Sequence, residues 1–98
     1  MYIDSTSESE IEDLKGVILD MKNNDLEKAR RYFQICFELR NKLKEMQASD
    51  TLWAQIISKK KEKGIQGEEQ RYQAVIAILD ILNNSETEEE IVKKINVL

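Results

Sequence analysis

The chain has 98 residues, enough for one hydrophobic core and too few for two, so a single domain over 1–98 is expected. It is 41% hydrophobic and 35% charged, a balance that supports a packed core beneath several solvated faces. Three glycines and no proline exclude the closely spaced hairpins of an all-β fold, and the net charge of -4 is unevenly spread. Residues 1–21 sum to -5, residues 22–63 to +5 and residues 64–98 to -4, so a basic middle lies between two acidic ends. The expected fold is all-α, a compact bundle of four to five short-to-medium helices with short connections.

The first element follows a serine-rich lead-in over 1–7, with Ser7 as cap and Glu10 as its acidic answer. Ile11, Leu14, Val17, Ile18 and Met21 recur at three- and four-residue steps and make one apolar stripe. Gly16 weakens this helix unless a neighbour packs closely there, and Asn23 and Asn24 end it. A second helix, capped by Asn24 or Asp25, runs to about Gln47 on a seam of Ala29, Tyr32, Cys36, Leu39, Leu43 and Met46. Leu26, Phe33 and Phe37 widen that seam to one side, so this helix is the expected spine of the fold.

Ala48-Ser49-Asp50-Thr51 reads as a break and cap before a third helix carrying Leu52, Trp53, Ile56 and Ile57 and ending in Lys59-Lys60-Lys61-Glu62-Lys63. Gly64-Ile65-Gln66-Gly67 reads as a turn. Glu68 and Glu69 then open a fourth helix lasting to about Asn83, apolar round most of its circumference. Two capping boxes, Ser85 with Glu88 and Thr87 with Glu90, precede a short last helix with Ile91, Val92 and Ile95.

Chemistry is mostly excluded. Without histidine the chain lacks the usual general base, the Ser-His and Cys-His nucleophile pairs and the commonest metal ligand. It has no glycine-rich phosphate loop, and one cysteine is too few for a disulfide or a cysteine zinc cluster. Cys36 sits mid-helix on the seam and reads as a buried structural thiol. The acidic runs at Glu8–Asp13 and Glu86–Glu90 lack the shaped loop of a calcium site. No catalytic residue, cofactor or metal site is therefore expected. Neither a signal-type start nor a long apolar run is present, which points to a soluble cytoplasmic protein.

The leading functional expectation is a non-enzymatic accessory or regulatory subunit that docks on a larger protein partner through an apolar helix face. Trp53, Ile57, Ile78 and Ile81 are the expected contacts, because helices three and four carry more apolar surface than a small bundle must bury. Ordinary core packing is the competing reading of the same four residues, and the same surplus is compatible with a homodimer. The alternative is nucleic-acid binding through the basic segment 22–63, using Arg30, Arg31, Lys59, Lys60 and Lys61 on phosphates. A third reading, inhibition by acidic mimicry, places the contact on the first or the last helix, with charge reversal at Glu10, Glu12 and Asp13 as its test.

Overall fold

A computed structural model describes residues 5–22 and 26–98, and gives side-chain surroundings for all of these except 5, 6, 19 and 20. Five helices make up the described chain: α1 (Ser5–Lys22), α2 (Leu26–Glu45), α3 (Asp50–Gln66), α4 (Glu68–Asn83) and α5 (Glu88–Asn96). The expected all-α bundle is what forms, without strands among the described residues. α1 begins at Ser5, inside the stretch expected as a lead-in, while the expected stops and caps at Asn23, Asn24 and Asp25 lie outside the described residues.

The connections follow from local chemistry. α2 ends because Gln47 turns left-handed (φ 53), which lets Gln47 N–H reach the Lys44 carbonyl and Ala48 N–H reach that of Leu43. This pair of bonds is a Schellman closure, here with glutamine where glycine is usual, and Ala48 packs against the core as it closes. Ser49 caps α3 by accepting from Leu52 N–H at 3.2 Å. The expected four-residue turn at Gly64–Gly67 shrinks to Gly67 alone. Gly64, Ile65 and Gln66 stay helical, and only Gly67 adopts a positive φ, 134°, that a side chain would resist. Thr87 caps α5 through Glu90 N–H, so the second of the two expected capping boxes supplies the cap.

The packed core is drawn from four helices. Tyr32, Cys36, Leu39 and Leu43 of α2 meet Leu52, Trp53 and Ile56 of α3, Val75, Ile78 and Leu82 of α4, and Ile91 and Ile95 of α5. Among the α1 residues whose side chains are described, none belongs to this fully buried apolar set; Val17 packs against it from the side and Gly16 closes on its Tyr32 ring. α1 nevertheless lies along α2 and α3 and reaches α4. Its described side-chain bonds to that body are mostly ionic.

Candidate functional site

A helix packs by one face and presents the other, and α1 presents the unexpected one. Its apolar stripe points outward: Ile11 is 56% exposed, Leu14 48%, Ile18 52% and Met21 52%. Among its described side chains, those turned inward are Ser9, Glu12, Asp13 and Gly16. These positions also recur at three- and four-residue steps, on the opposite side of the same helix.

Each polar group on that inner face meets a partner. Lys60 of α3, 1% exposed, donates to Asp13 Oδ1 at 2.7 Å and to Ser9 Oγ at 2.9 Å. Arg40 of α2 pairs with Glu10 at 2.8 Å and places its Nε 3.3 Å from Asp13 Oδ2, an ion pair whose two atoms are not aligned for a hydrogen bond. Arg71 of α4 donates to the Glu12 carbonyl at 3.3 Å and lies 3.9 Å from its carboxylate, which Lys15 also pairs at 3.2 Å. At the edge, Lys61 reaches Glu8 at 3.2 Å. Buried charges need this matching, because a charge left without its partner in a low-dielectric interior is strongly unfavourable.

Tyr32 and Cys36 connect the ionic layer to the apolar core. The Tyr32 ring packs so closely on α1 that a Cβ at Gly16 would stand 2.6 Å from Tyr32 Cε1. Its other side meets the Tyr72 ring, with centroids 6.1 Å apart at 35°. Cys36 lies beside Asp13 and Tyr32; burial, followed by the Asp13 carboxylate, pushes its pKa from 9.0 to about 12. The Tyr32 hydroxyl is likewise pushed upward, chiefly by burial. At neutral pH the thiol stays protonated, which suits the structural reading of Cys36 and gives no activated nucleophile.

The outward face continues onto α2. Phe33 and Phe37 are exposed beside Leu14 of the α1 stripe, and Leu26 is exposed at the start of α2. Glu10, Leu14, Phe33, Phe37 and Arg40 line a shallow groove of about 260 Å³ between the two helices. Arg40 Cζ sits 5.7 Å from the Phe37 ring centroid, so one guanidinium serves both the inner ionic layer and the rim of the groove. A larger open cleft of about 480 Å³ lies at the N-termini of α3 and α5. There the Glu88 carboxylate already accepts from Ser49 N–H and Oγ, both at 2.8 Å, and occupies the position an anion would take.

The residues singled out in the sequence fall elsewhere. Trp53, Ile57 and Ile78 are buried and Ile81 is half-buried against the core, so these four form no exposed docking face. α5 explains the difference, since its Ile91 and Ile95 join the core formed by α3 and α4 and absorb the surplus. Of the five basic residues, Arg30 and Arg31 are exposed, Lys59 pairs with Glu62 at 3.3 Å, Lys61 pairs with Glu8, and Lys60 is enclosed by Ser9 and Asp13. They do not form one phosphate-binding row. On the first helix Glu12 and Asp13 are buried and Glu10, though exposed, is tied to Arg40, while on the last helix Glu89 stays exposed.

Among the described residues, no group of three or more acidic or thiol side chains converges as a metal site, and no helix is long and apolar enough to cross a membrane. No family model, curated protein or solved structure matches the chain.

Proposed function

We propose that this chain is a non-enzymatic protein-interaction module, and that its docking surface is the apolar face formed by α1 and α2. One observation carries the reading. α1 commits its polar face inward to Lys60, Arg40 and Arg71 and leaves Ile11, Leu14, Ile18 and Met21 in water. A helix free to bury either face gains more by burying the apolar one, about 25 cal/mol per Å². The outward stripe is therefore matched to another surface, and contiguous exposed apolar patches of this size mark interaction sites. An apolar helix is the mate such a shallow two-helix groove fits. The docking surface thus moves from Trp53, Ile57, Ile78 and Ile81, which are buried or half-buried, to this face. The single buried thiol fits a reducing compartment such as the cytoplasm.

The test is a photo-crosslinking amino acid placed at Leu14 or Ile18, with Asn41 as an exposed control on α2. Adducts are expected from α1 and not from Asn41, and they should disappear in a Leu14→Glu, Ile18→Glu chain of unchanged helix content. Equal capture at all three positions would overturn the reading. Nucleic-acid binding is left with Arg30 and Arg31, and a titration of nucleic-acid fragments against salt is expected to show no steep slope.

A further inference from the structure

We propose that the occupant of this face is a second copy of the chain, packed through α1 against α1 in antiparallel orientation. The inference rests on the docking-surface reading above and names its partner. Three observations support it.

The first is register. Ile11, Leu14, Ile18 and Met21 are spaced 3, 4 and 3, the period of a two-helix seam, and all four are about half-exposed. They are also placed symmetrically about Gly16: Leu14 and Ile18 lie equally far from it, as do Ile11 and Met21. A two-fold axis at that level sets Leu14 against Ile18 of the other copy and Ile11 against its Met21, each contact occurring twice. An isologous interface requires this self-complementarity, and a stripe without a centre would not supply it.

The second is the chemistry of the two edges. One edge of the stripe carries Glu8, Lys15 and Lys22, while the other runs along Val17, the α2 rings Phe33 and Phe37 and the internally neutralised Glu10–Arg40 pair. In an antiparallel pair each edge meets the same edge of its copy. The charged edge then brings Glu8 within two residues, about 3 Å along the axis, of the level of Lys22 of the other copy, near enough for Glu8 to exchange Lys61 for Lys22, and the aromatic edges of both copies lie on one side. A parallel pair would set the phenylalanines of each copy against the other's charged edge. The like-charge approach on the charged edge, Lys15 to Lys15 near the axis, is relieved by the ion pair each Lys15 makes with its own Glu12. Antiparallel packing also opposes the two helix dipoles.

The third is area. Ile11, Leu14, Ile18, Met21, Leu26, Phe33 and Phe37 expose between 42% and 66% of their surface. Together they offer roughly 600 Å² per copy and about 1,200 Å² for the pair, which reaches the lower bound of specific protein interfaces. The patch is large enough for a self-associating, exchangeable dimer and needs no further element.

Sedimentation equilibrium on the full chain over micromolar to millimolar concentrations should show a monomer–dimer equilibrium. Leu14→Glu with Ile18→Glu, which sets glutamates face to face, should leave a monomer of unchanged circular dichroism. Glu8→Lys or Lys22→Glu alone should weaken association roughly fivefold through the two symmetry-related pairs, and the two together should restore it. Orientation is read by disulfide trapping. Ile11→Cys chains mixed with Met21→Cys chains should crosslink, and Ile11→Cys chains alone should not. Crosslinking of Ile11→Cys to itself would overturn the antiparallel pair. A chain that stays monomeric while the Leu14 photo-crosslinker captures a different protein overturns the second copy and keeps the docking surface. A monomer with no capture at Leu14 removes both.

Discussion

The two halves of this molecule are held by opposite means. α2 to α5 meet through apolar side chains that are almost fully enclosed, Leu39, Leu43, Leu52, Ile56, Val75, Ile78, Ile91 and Ile95 among them. α1 meets the same body through Ser9, Glu12 and Asp13, answered by Lys60, Arg40 and Arg71. Apolar packing is non-directional and tolerates exchange of similar volumes, whereas a buried ion network is strongly disfavoured when it loses one member. The core therefore fixes the fold, and the network fixes which face of α1 is turned outward. Reversing α1 would bury its stripe but strand Lys60 and Arg40 without partners.

The largest test of that contrast compares two substitutions of similar size and different reach. Ile78→Ala removes a fully enclosed side chain and should cost about 3–4 kcal/mol, spread over α2 to α5. Lys60→Met leaves Asp13 without its closest cation and should cost about 3 kcal/mol, felt first by α1. Urea unfolding gives the totals, and amide hydrogen exchange gives the distribution. Adding Asp13→Leu to Lys60→Met should recover most of the loss, since an apolar pair of similar volume often replaces a buried ion pair at little cost. If Lys60→Met accelerates exchange in α4 and α5 as much as in α1, the molecule is one cooperative body and the contrast fails.

The next effect lies where the two halves touch and is read against pH. Cys36 ionises near 9.0 when unfolded and near 12 in the fold, because burial and the Asp13 carboxylate oppose its thiolate. A folded pKa raised above the unfolded one contributes stability that is complete below pH 9 and is lost as pH rises toward 12. Tyr32, shifted upward by the same burial, adds a loss of the same sign. Urea midpoints should thus fall steeply between pH 9 and 12, and Cys36→Ala should flatten the fall without abolishing it. An unchanged slope in that variant would remove Cys36 from the account.

The same contrast separates what the sequence discloses from what it conceals. The α2 seam from Ala29 through Leu43 is buried as its spacing predicts, because an apolar stripe flanked by charge has only one favourable side. Gly64 and Gly67 look alike in sequence, yet only Gly67 takes a conformation that needs glycine. α1 was the hard case. Its pattern defines two faces, but which one turns inward depends on cations supplied from α2, α3 and α4, and local periodicity does not register a contact 47 residues away. A signal was present in those cations. Lys60 falls four residues after Ile56 and Arg40 four after Cys36, each in line with a buried stripe, where a charge needs a buried partner.

A smaller effect probes the close approach of α1 to α2. Gly16→Ala should gain up to about 1 kcal/mol in helix propensity. Its Cβ, however, meets the Tyr32 ring at 2.6 Å, and that ring is confined by Tyr72 and Cys36, so overpacking of about 1–3 kcal/mol should outweigh the gain. Faster α1 exchange with an intact α2–α5 core is the expected signature. A stabilised protein would mean that Tyr32 can move aside.

The smallest change acts within the apolar half and should leave the ionic half untouched. Gln47 holds φ 53 at the end of α2, a conformation that disfavours a side chain with a Cβ, and its N–H closes the helix on the Lys44 carbonyl. Gln47→Gly removes that strain but gives the unfolded chain more freedom, so the net gain should be about 0.5 kcal/mol. The gain should appear in the urea midpoint and in α2 and α3 exchange, while α1, which opens by losing its ion network, should exchange as before. Equal slowing in α1 would show that α1 is released only by global unfolding, and that its ionic face is as firmly held as the apolar core.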